Sequence, residues 1–150
     1  MYHSIVRSRV RGLFEAINRG AAEPVLNAFA PAFEHLFLGD SAFGGSRTTL
    51  AATRRWYERL FRLLPDIKFV VRRIGVSGGP WNTLVLAEWD ETNSGTDGVL
   101  TGNSGVHVVR LQWGRMTRLV ICPDTAGLKA TLDRMASAGT AEAHAGAIVD

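Results

Sequence analysis

A histidine and an aspartate lie on two consecutive stretches that are rich in β-forming residues. His107 lies within residues 105–113, and Asp124 follows residues 116–122. Because side chains alternate between the two faces of a strand, His107 shares a mostly apolar face with Val109 and is predicted to point inward. A histidine and a carboxylate at the rim of an apolar sheet face can exchange protons with a bound molecule. These two residues are therefore the candidate catalytic pair.

Each member of this pair also has a purely structural interpretation. An aspartate directly after a strand commonly caps the next helix, and a helix is predicted to begin at Thr125. A histidine on an apolar face is often a hydrogen-bonded core residue. Catalysis and helix capping both stay open for Asp124 at this point, as do catalysis and a core position for His107.

A second group of residues is expected to contact a bound hydrophobic molecule. Aromatic side chains form flat apolar walls, and histidine, tyrosine or asparagine can hydrogen-bond a carbonyl group. Asn103 or Tyr57 is the predicted donor to such a carbonyl, although aromatic residues also fill cores and asparagine also forms turns. The predicted substrate-binding residues are His35, Trp56, Tyr57, Trp89 and Asn103.

The sequence contains no motif for a metal or a cofactor, and we predict neither. The four histidines do not have the spacing of zinc ligands. The glycine-rich residues 39–46 lack the Lys-Ser/Thr pair of a phosphate-binding loop and have no βαβ pattern around them. The single cysteine, Cys122, excludes an intramolecular disulfide and any multi-cysteine metal site.

Composition limits the classes of partner that we expect. A net charge of +3 is too small to indicate nucleic-acid binding, and the arginines of residues 54–62 form a predicted solvent-facing side of a helix. No stretch of eighteen apolar residues predicts a membrane span, and the N-terminal residues do not resemble a signal peptide. The cytoplasm is the expected location.

Hydrophobic periodicity predicts helices followed by a run of antiparallel strands, which is an α+β pattern. Helices are expected at residues 3–19, from 23, and at 47–64 and 125–135; strands are expected at 33–38, 67–76, 82–91, 99–113 and 116–122. A curved antiparallel sheet wrapped around the long helix would form a cone with an internal hydrophobic pocket. We predict one domain over residues 1–137 and a flexible tail over 138–150.

Several short segments in this order resemble the nuclear-transport-factor-like superfamily, which has a cystatin-like α+β cone. The superfamily includes ketosteroid isomerase, limonene epoxide hydrolase and the SnoaL-like polyketide cyclases. The resemblance covers residues 3–136 and is strongest to the SnoaL-like branch. The segments that carry it are HLFLGD (35–40), RWYER (55–59) with LPD (64–66), GVHVVR (105–110), and WGRM (113–116) leading to PD (123–124).

The resemblance implies a cofactor-free acid/base enzyme. SnoaL-like cyclases close a polyketide ring by an aldol reaction, with an aspartate at the end of the last strand and a histidine on the strand before it. Asp124 and His107 match these positions. The predicted function is thus aldol cyclisation or isomerisation of a hydrophobic carbonyl compound such as a polyketide or steroid, by a homodimer formed through the open sheet face.

Two other functions stay open, because this fold carries many activities. The first is a non-catalytic binding or scaffolding module, which is favoured by the lack of an evident second inward-facing acid near Asp124. The second is epoxide hydrolysis, which needs an Asp-Arg-Asp arrangement. Arg110 has the wrong strand parity to share the face of His107, and this disfavours the hydrolase.

Overall fold

A computed structural model describes all 150 residues, which form four α-helices and one six-stranded sheet. The helices are α1 (Tyr2–Asn18), α2 (Glu23–Asn27), α3 (Leu50–Leu63) and α4 (Thr125–Ser137). The strands are β1 (Phe29–Phe37), β2 (Gly45–Arg47), β3 (Lys68–Gly79), β4 (Asn82–Asn93), β5 (Thr101–Gln112) and β6 (Arg115–Pro123). No helix has both the length and the apolar character needed to cross a membrane.

The strands follow the order β2-β1-β6-β5-β4-β3 across the sheet, which confirms the predicted α+β class. Strands β3 to β6 are joined by hairpins and are antiparallel, as predicted. Strand β1, however, pairs with β6 in parallel, so the sheet is mixed rather than wholly antiparallel. Parallel neighbours need a long connection, and here α3 and the four strands β2 to β5 lie between β1 and β6 along the chain.

On the central strands, side chains alternate strictly between the two faces of the sheet, and this alternation determines which residues face the helices. Val85, Ala87 and Trp89 on β4 are buried and face inward, as alternation indicates, because the acids Glu88 and Asp90 lie on the other face of the strand. Their neighbours Leu86 and Glu88 are exposed on the outer face. Helices α1 and α3 contribute the apolar side chains that cover the inner face, so one hydrophobic core lies between the helices and the sheet.

The long helix α3 was predicted to begin at residue 47, but it begins at Leu50. Residues 45–47 form the short strand β2, where Ser46 donates a hydrogen bond to Glu34 over 2.7 Å. Ser46 therefore belongs to the sheet and does not cap the helix that follows. Thr49 caps α3 instead, because its side chain accepts a hydrogen bond from the backbone N–H of Ala52.

Residues 138–150, which the sequence predicts to be a flexible tail, lie against α3. They include a short 3-10 helix, Ala141–His144. Within it, Glu142 accepts hydrogen bonds from Arg59 at 3.3 Å and from Arg62 at 2.8 Å. Composition alone gave no sign of this packing, because the partner arginines lie about eighty residues away along the chain.

Candidate functional site

An apolar cavity of about 130 Å³ lies between α1, α3 and the inner faces of β5 and β6. Its lining is almost entirely hydrophobic and contains no carboxylate. An apolar cavity of about 150 Å³ is enough to bind benzene in another protein, so this one has room for roughly one aromatic ring. Exposed Ile5 and Arg9 on α1 also line it, so the cavity opens to solvent beside that helix and a larger ligand can protrude.

His107 lies on the inner face of β5 and lines this cavity. The indole N–H of Trp89 donates a hydrogen bond to His107 Nδ1 over 2.8 Å. Because an indole nitrogen can only donate, Nδ1 must be unprotonated, and the neutral ring carries its proton on Nε2. Burial lowers the pKa of His107 to about 3, so the ring is neutral at physiological pH.

The second nitrogen of His107 is free to bind a ligand. Nε2 makes no hydrogen bond within the chain, and it is not among the polar atoms that are sealed from solvent. The imidazole therefore presents an unused N–H donor to an otherwise apolar space.

Tyr57 gives the cavity a second free donor. Its ring is buried on α3 and lines the cavity beside Trp56. Its hydroxyl has no partner within the chain and is not sealed from solvent. Burial raises the pKa of Tyr57 above its ordinary value of 10, so the hydroxyl keeps its proton and can donate. The hydroxyl of Tyr2, by contrast, is already paired with Thr83.

Asp124 lies outside the cavity. Its carboxylate accepts a hydrogen bond from the backbone N–H of Gly127 at 3.1 Å, so it caps the N-terminus of α4, and its side chain is exposed. Asn103 holds the backbone of Asp124 from both sides, with its amide donating to the carbonyl at 3.0 Å and accepting from the N–H at 2.9 Å. The structure does not bring the expected pair of Asp124 and His107 together.

Two of the five predicted substrate-binding residues, Trp56 and Tyr57, line the cavity, and the other three do not. Asn103 anchors the start of α4, and Trp89 stands behind His107. His35 is completely buried, with its ring centre 4.6 Å from that of Trp56. Burial, and next the nearby Arg47 charge, lower the pKa of His35 well below its ordinary value.

One buried acid, Glu91, was not predicted from the sequence. Glu91 lies on the inner face of β4 and is only 5% exposed, and Asn93 donates a hydrogen bond to it over 2.7 Å. Burial raises the pKa of Glu91 to about 7. Strand alternation does indicate an inward position for Glu91, because Glu91 follows Trp89 by two residues and therefore shares its face. The prediction that no second inward-facing acid lies near Asp124 is wrong, because Glu91 pairs in register with Asn103, which binds the backbone of Asp124.

The indole of Trp89 separates Glu91 from the cavity. In the β4–β5 register Glu91 pairs with Asn103, Trp89 with Gly105, and Ala87 with His107. The indole covers Gly105 so closely that a Cβ atom there would lie 2.8 Å from the ring. Glu91 therefore lies on the α4 side of this indole and does not line the cavity.

Comparison with models of known protein families shows which family the chain belongs to. Residues 10–119 match the model of the SnoaL-like domain. The chain belongs to the SnoaL-like family. This confirms the resemblance that was inferred from its short segments. No curated protein sequence matches the chain at a significant level.

Solved structures of similar fold agree with the α+β cone of the SnoaL-like family. An NTF2-like protein of unknown function from Burkholderia pseudomallei is 21% identical, with a TM-score of 0.69 over 83% of this chain and 95% of that one. A putative SnoaL-like polyketide cyclase from Jannaschia is 17% identical, with a TM-score of 0.62 over 78% and 83%. TerC, co-crystallised with polyporic acid, is 15% identical, with a TM-score of 0.66 over 84% and 96%. At these identities the likeness shows the fold alone.

The buried carboxyl of Glu91 predicts a pH-dependent stability. Its pKa is about 7 in the folded protein against 4.5 ordinarily, so folding favours the protonated form and stability falls as the pH rises from 4.5 through 7. The difference corresponds to about 3 kcal/mol at alkaline pH. The variant Glu91→Gln, which stays neutral, should unfold at a higher temperature than the parent at pH 8, but not at pH 4. Thermal unfolding followed by circular dichroism measures both.

Glu88→Gln is the matched control for this variant, because Glu88 is on the exposed face of the same strand, where it pairs with Arg73. It should change the unfolding temperature little at either pH. An equal gain for Glu91→Gln at both pH values, or no gain at pH 8, would contradict the account of Glu91.

Proposed function

We propose that this SnoaL-like protein binds a hydrophobic small molecule with a carbonyl group in its apolar cavity. The observation that carries the proposal is the pair of unused donors, His107 Nε2 and the Tyr57 hydroxyl, in a lining that is otherwise almost wholly apolar. A carbonyl oxygen can only accept hydrogen bonds, and the Nε2–H of His107 and the hydroxyl of Tyr57 can each donate one. Apolar walls with a few well-placed polar groups are typical of small-molecule sites.

The size of the cavity constrains the ligand. One ring of a polyketide or steroid would fill the enclosed part, and the remainder would extend through the opening beside α1. TerC, a protein of similar fold, was co-crystallised with the small molecule polyporic acid. That observation belongs to TerC, and it is consistent with a ligand of this general kind here.

Cofactor-free acid/base catalysis is the second candidate function. Two neutral donors in a water-poor cavity can stabilise the negative charge that develops on a carbonyl oxygen when an enolate forms. Aldol cyclisation and double-bond isomerisation both pass through such a charge. In this scheme His107 and Tyr57 polarise the carbonyl, and neither acts as a base.

The lack of a base in the cavity makes binding the leading proposal. His107, with a pKa of about 3, accepts protons poorly at neutral pH, and the lining contains no carboxylate. Asp124, the expected acid/base residue, is engaged at the start of α4. The same absence of carboxylates leaves epoxide hydrolysis without the two acids that it requires.

We propose in addition that two copies of the chain associate through the outer face of the sheet. Leu86, Val106 and Val108 form an apolar surface there, and Leu86 is 45% exposed. Ion pairs such as Arg73 with Glu88 border this surface. An apolar centre with a polar rim suits a self-complementary two-fold interface.

Ligand binding is tested with a matched pair of compounds, butyrophenone and butylbenzene, which differ in the carbonyl group. The parent protein should bind the ketone about tenfold more tightly, the effect of one or two hydrogen bonds in a dry site. Tyr57→Phe keeps the ring and removes the hydroxyl, so the preference should shrink. Isothermal titration calorimetry measures all the affinities.

Tyr2→Phe is the control, because the Tyr2 hydroxyl is already bonded to Thr83 and should not affect the preference. Equal binding of both compounds by the parent protein would refute the carbonyl site.

Exchange of the ketone α-hydrogens in D₂O, followed by NMR, distinguishes a binding module from an acid/base enzyme. Exchange at the buffer rate is expected for a binding module. Acceleration that is lost in Asp124→Asn, which keeps a capping residue, would instead establish the acid/base enzyme with Asp124.

The dimer is tested by introducing a charge on the outer face. Leu86→Glu should convert a dimer into a monomer in sedimentation velocity, because a buried carboxylate would be unpaired at the interface. Leu100→Glu changes a leucine that is 74% exposed in the loop before β5 and should leave the dimer intact. A parent protein that sediments as a monomer at high micromolar concentration would refute the dimer.

A further inference from the structure

Arg9 is the one residue with a permanent charge among those that line the apolar cavity. It lies on α1 four residues after Ile5 and four before Leu13, and both of these also line the cavity. Residues at this spacing stack on one side of a helix. Arg9 therefore interrupts an apolar column at the opening of the cavity.

The guanidinium of Arg9 is held in place but keeps free donors. Its Nη2 donates a hydrogen bond to the carbonyl of Gly114 over 3.1 Å. A Cβ atom at Gly114 would lie 3.0 Å from Nη1, so the group rests directly against the β5–β6 turn. An arginine has five N–H donors, and this bond uses one of them. Arg9 makes no ion pair within the chain.

Trp113 is the neighbour of Gly114 in this turn, and its position needs an explanation. It has a left-handed backbone with φ of 51°, where Asn or Gly is usual, and it is 75% exposed. Neither the turn nor the core accounts for an indole here. The indole adjoins Gly114, which lines the cavity, but Trp113 itself does not line it.

We propose that the ligand of the cavity is an amphipathic carboxylate, with its apolar carbonyl-bearing body inside and its carboxylate bound by Arg9 at the opening. The inference rests on the proposed function and specifies the ligand class. A guanidinium matches the geometry of a carboxylate, and no acidic side chain of the cavity competes for it. Arg9 thus adds a positively charged donor at the opening, while the two neutral donors inside bind the carbonyl group.

The test compares 4-oxo-4-phenylbutanoate with 4-oxo-4-phenylbutanamide, which share a phenyl ketone and differ in the charge of the far end. By calorimetry at low ionic strength, the parent protein should bind the acid about tenfold more tightly, the effect of one charge-assisted hydrogen bond. The preference should decline with added salt, since the site is open to solvent. Arg9→Gln should bind the two compounds with equal affinity.

Arg11→Gln is the matched control, since it removes the same charge from an exposed position on the same helix that does not line the cavity. It should retain the tenfold preference. Equal affinities in the parent protein, a preference that survives in Arg9→Gln, or an equal loss in both variants would each overturn the Arg9 site. Binding of the amide alone would overturn the anion site and leave the carbonyl site standing. If neither compound binds, the cavity proposal fails and the anion site fails with it.

Discussion

The hydrogen bond from the indole of Trp89 to His107 Nδ1 is the interaction on which the character of the cavity depends. It forms because Gly105, directly opposite Trp89 on β5, has no side chain to displace the indole. The bond occupies Nδ1, which is the hydrogen-bond acceptor of the imidazole, and leaves only the Nε2–H donor for the cavity. Burial keeps the histidine neutral, so no charge has to be accommodated among the apolar walls.

The charged groups of this protein lie around the cavity, not inside it. Glu91 is on the far side of the indole, Asp124 caps α4, and Arg9 is at the opening. This distribution follows from the cost of placing a charge in an apolar space without a partner. It also limits the chemistry, because the cavity lining can donate hydrogen bonds to an oxygen but contains no carboxylate to act as a base. Recognition of a carbonyl compound is therefore better supported than proton abstraction.

Local patterns predicted much of this architecture, and long-range geometry accounts for what they missed. Alternation was enough to place His107 and Trp89 inward, and it would also have placed Glu91 there had it been followed two residues further. The role of Asp124 could not be resolved, since a strand end and a helix start coincide at that residue. Which inward residues line the cavity depends on where α1 and α3 cross the sheet, and no periodicity encodes that. The C-terminal segment is held by contacts with arginines far away in sequence.

Nitrogen NMR of the imidazole ring is the direct test of whether His107 presents a neutral Nε2–H donor to the cavity. In protein labelled with ¹⁵N at histidine, Nδ1 should show the shift of an unprotonated, hydrogen-bonded nitrogen and Nε2 that of a protonated one. Both shifts should stay constant from pH 8 down to pH 5, because burial holds the pKa at about 3. A ring that titrates near its ordinary value of 6.5, or that carries its proton on Nδ1, would contradict the account.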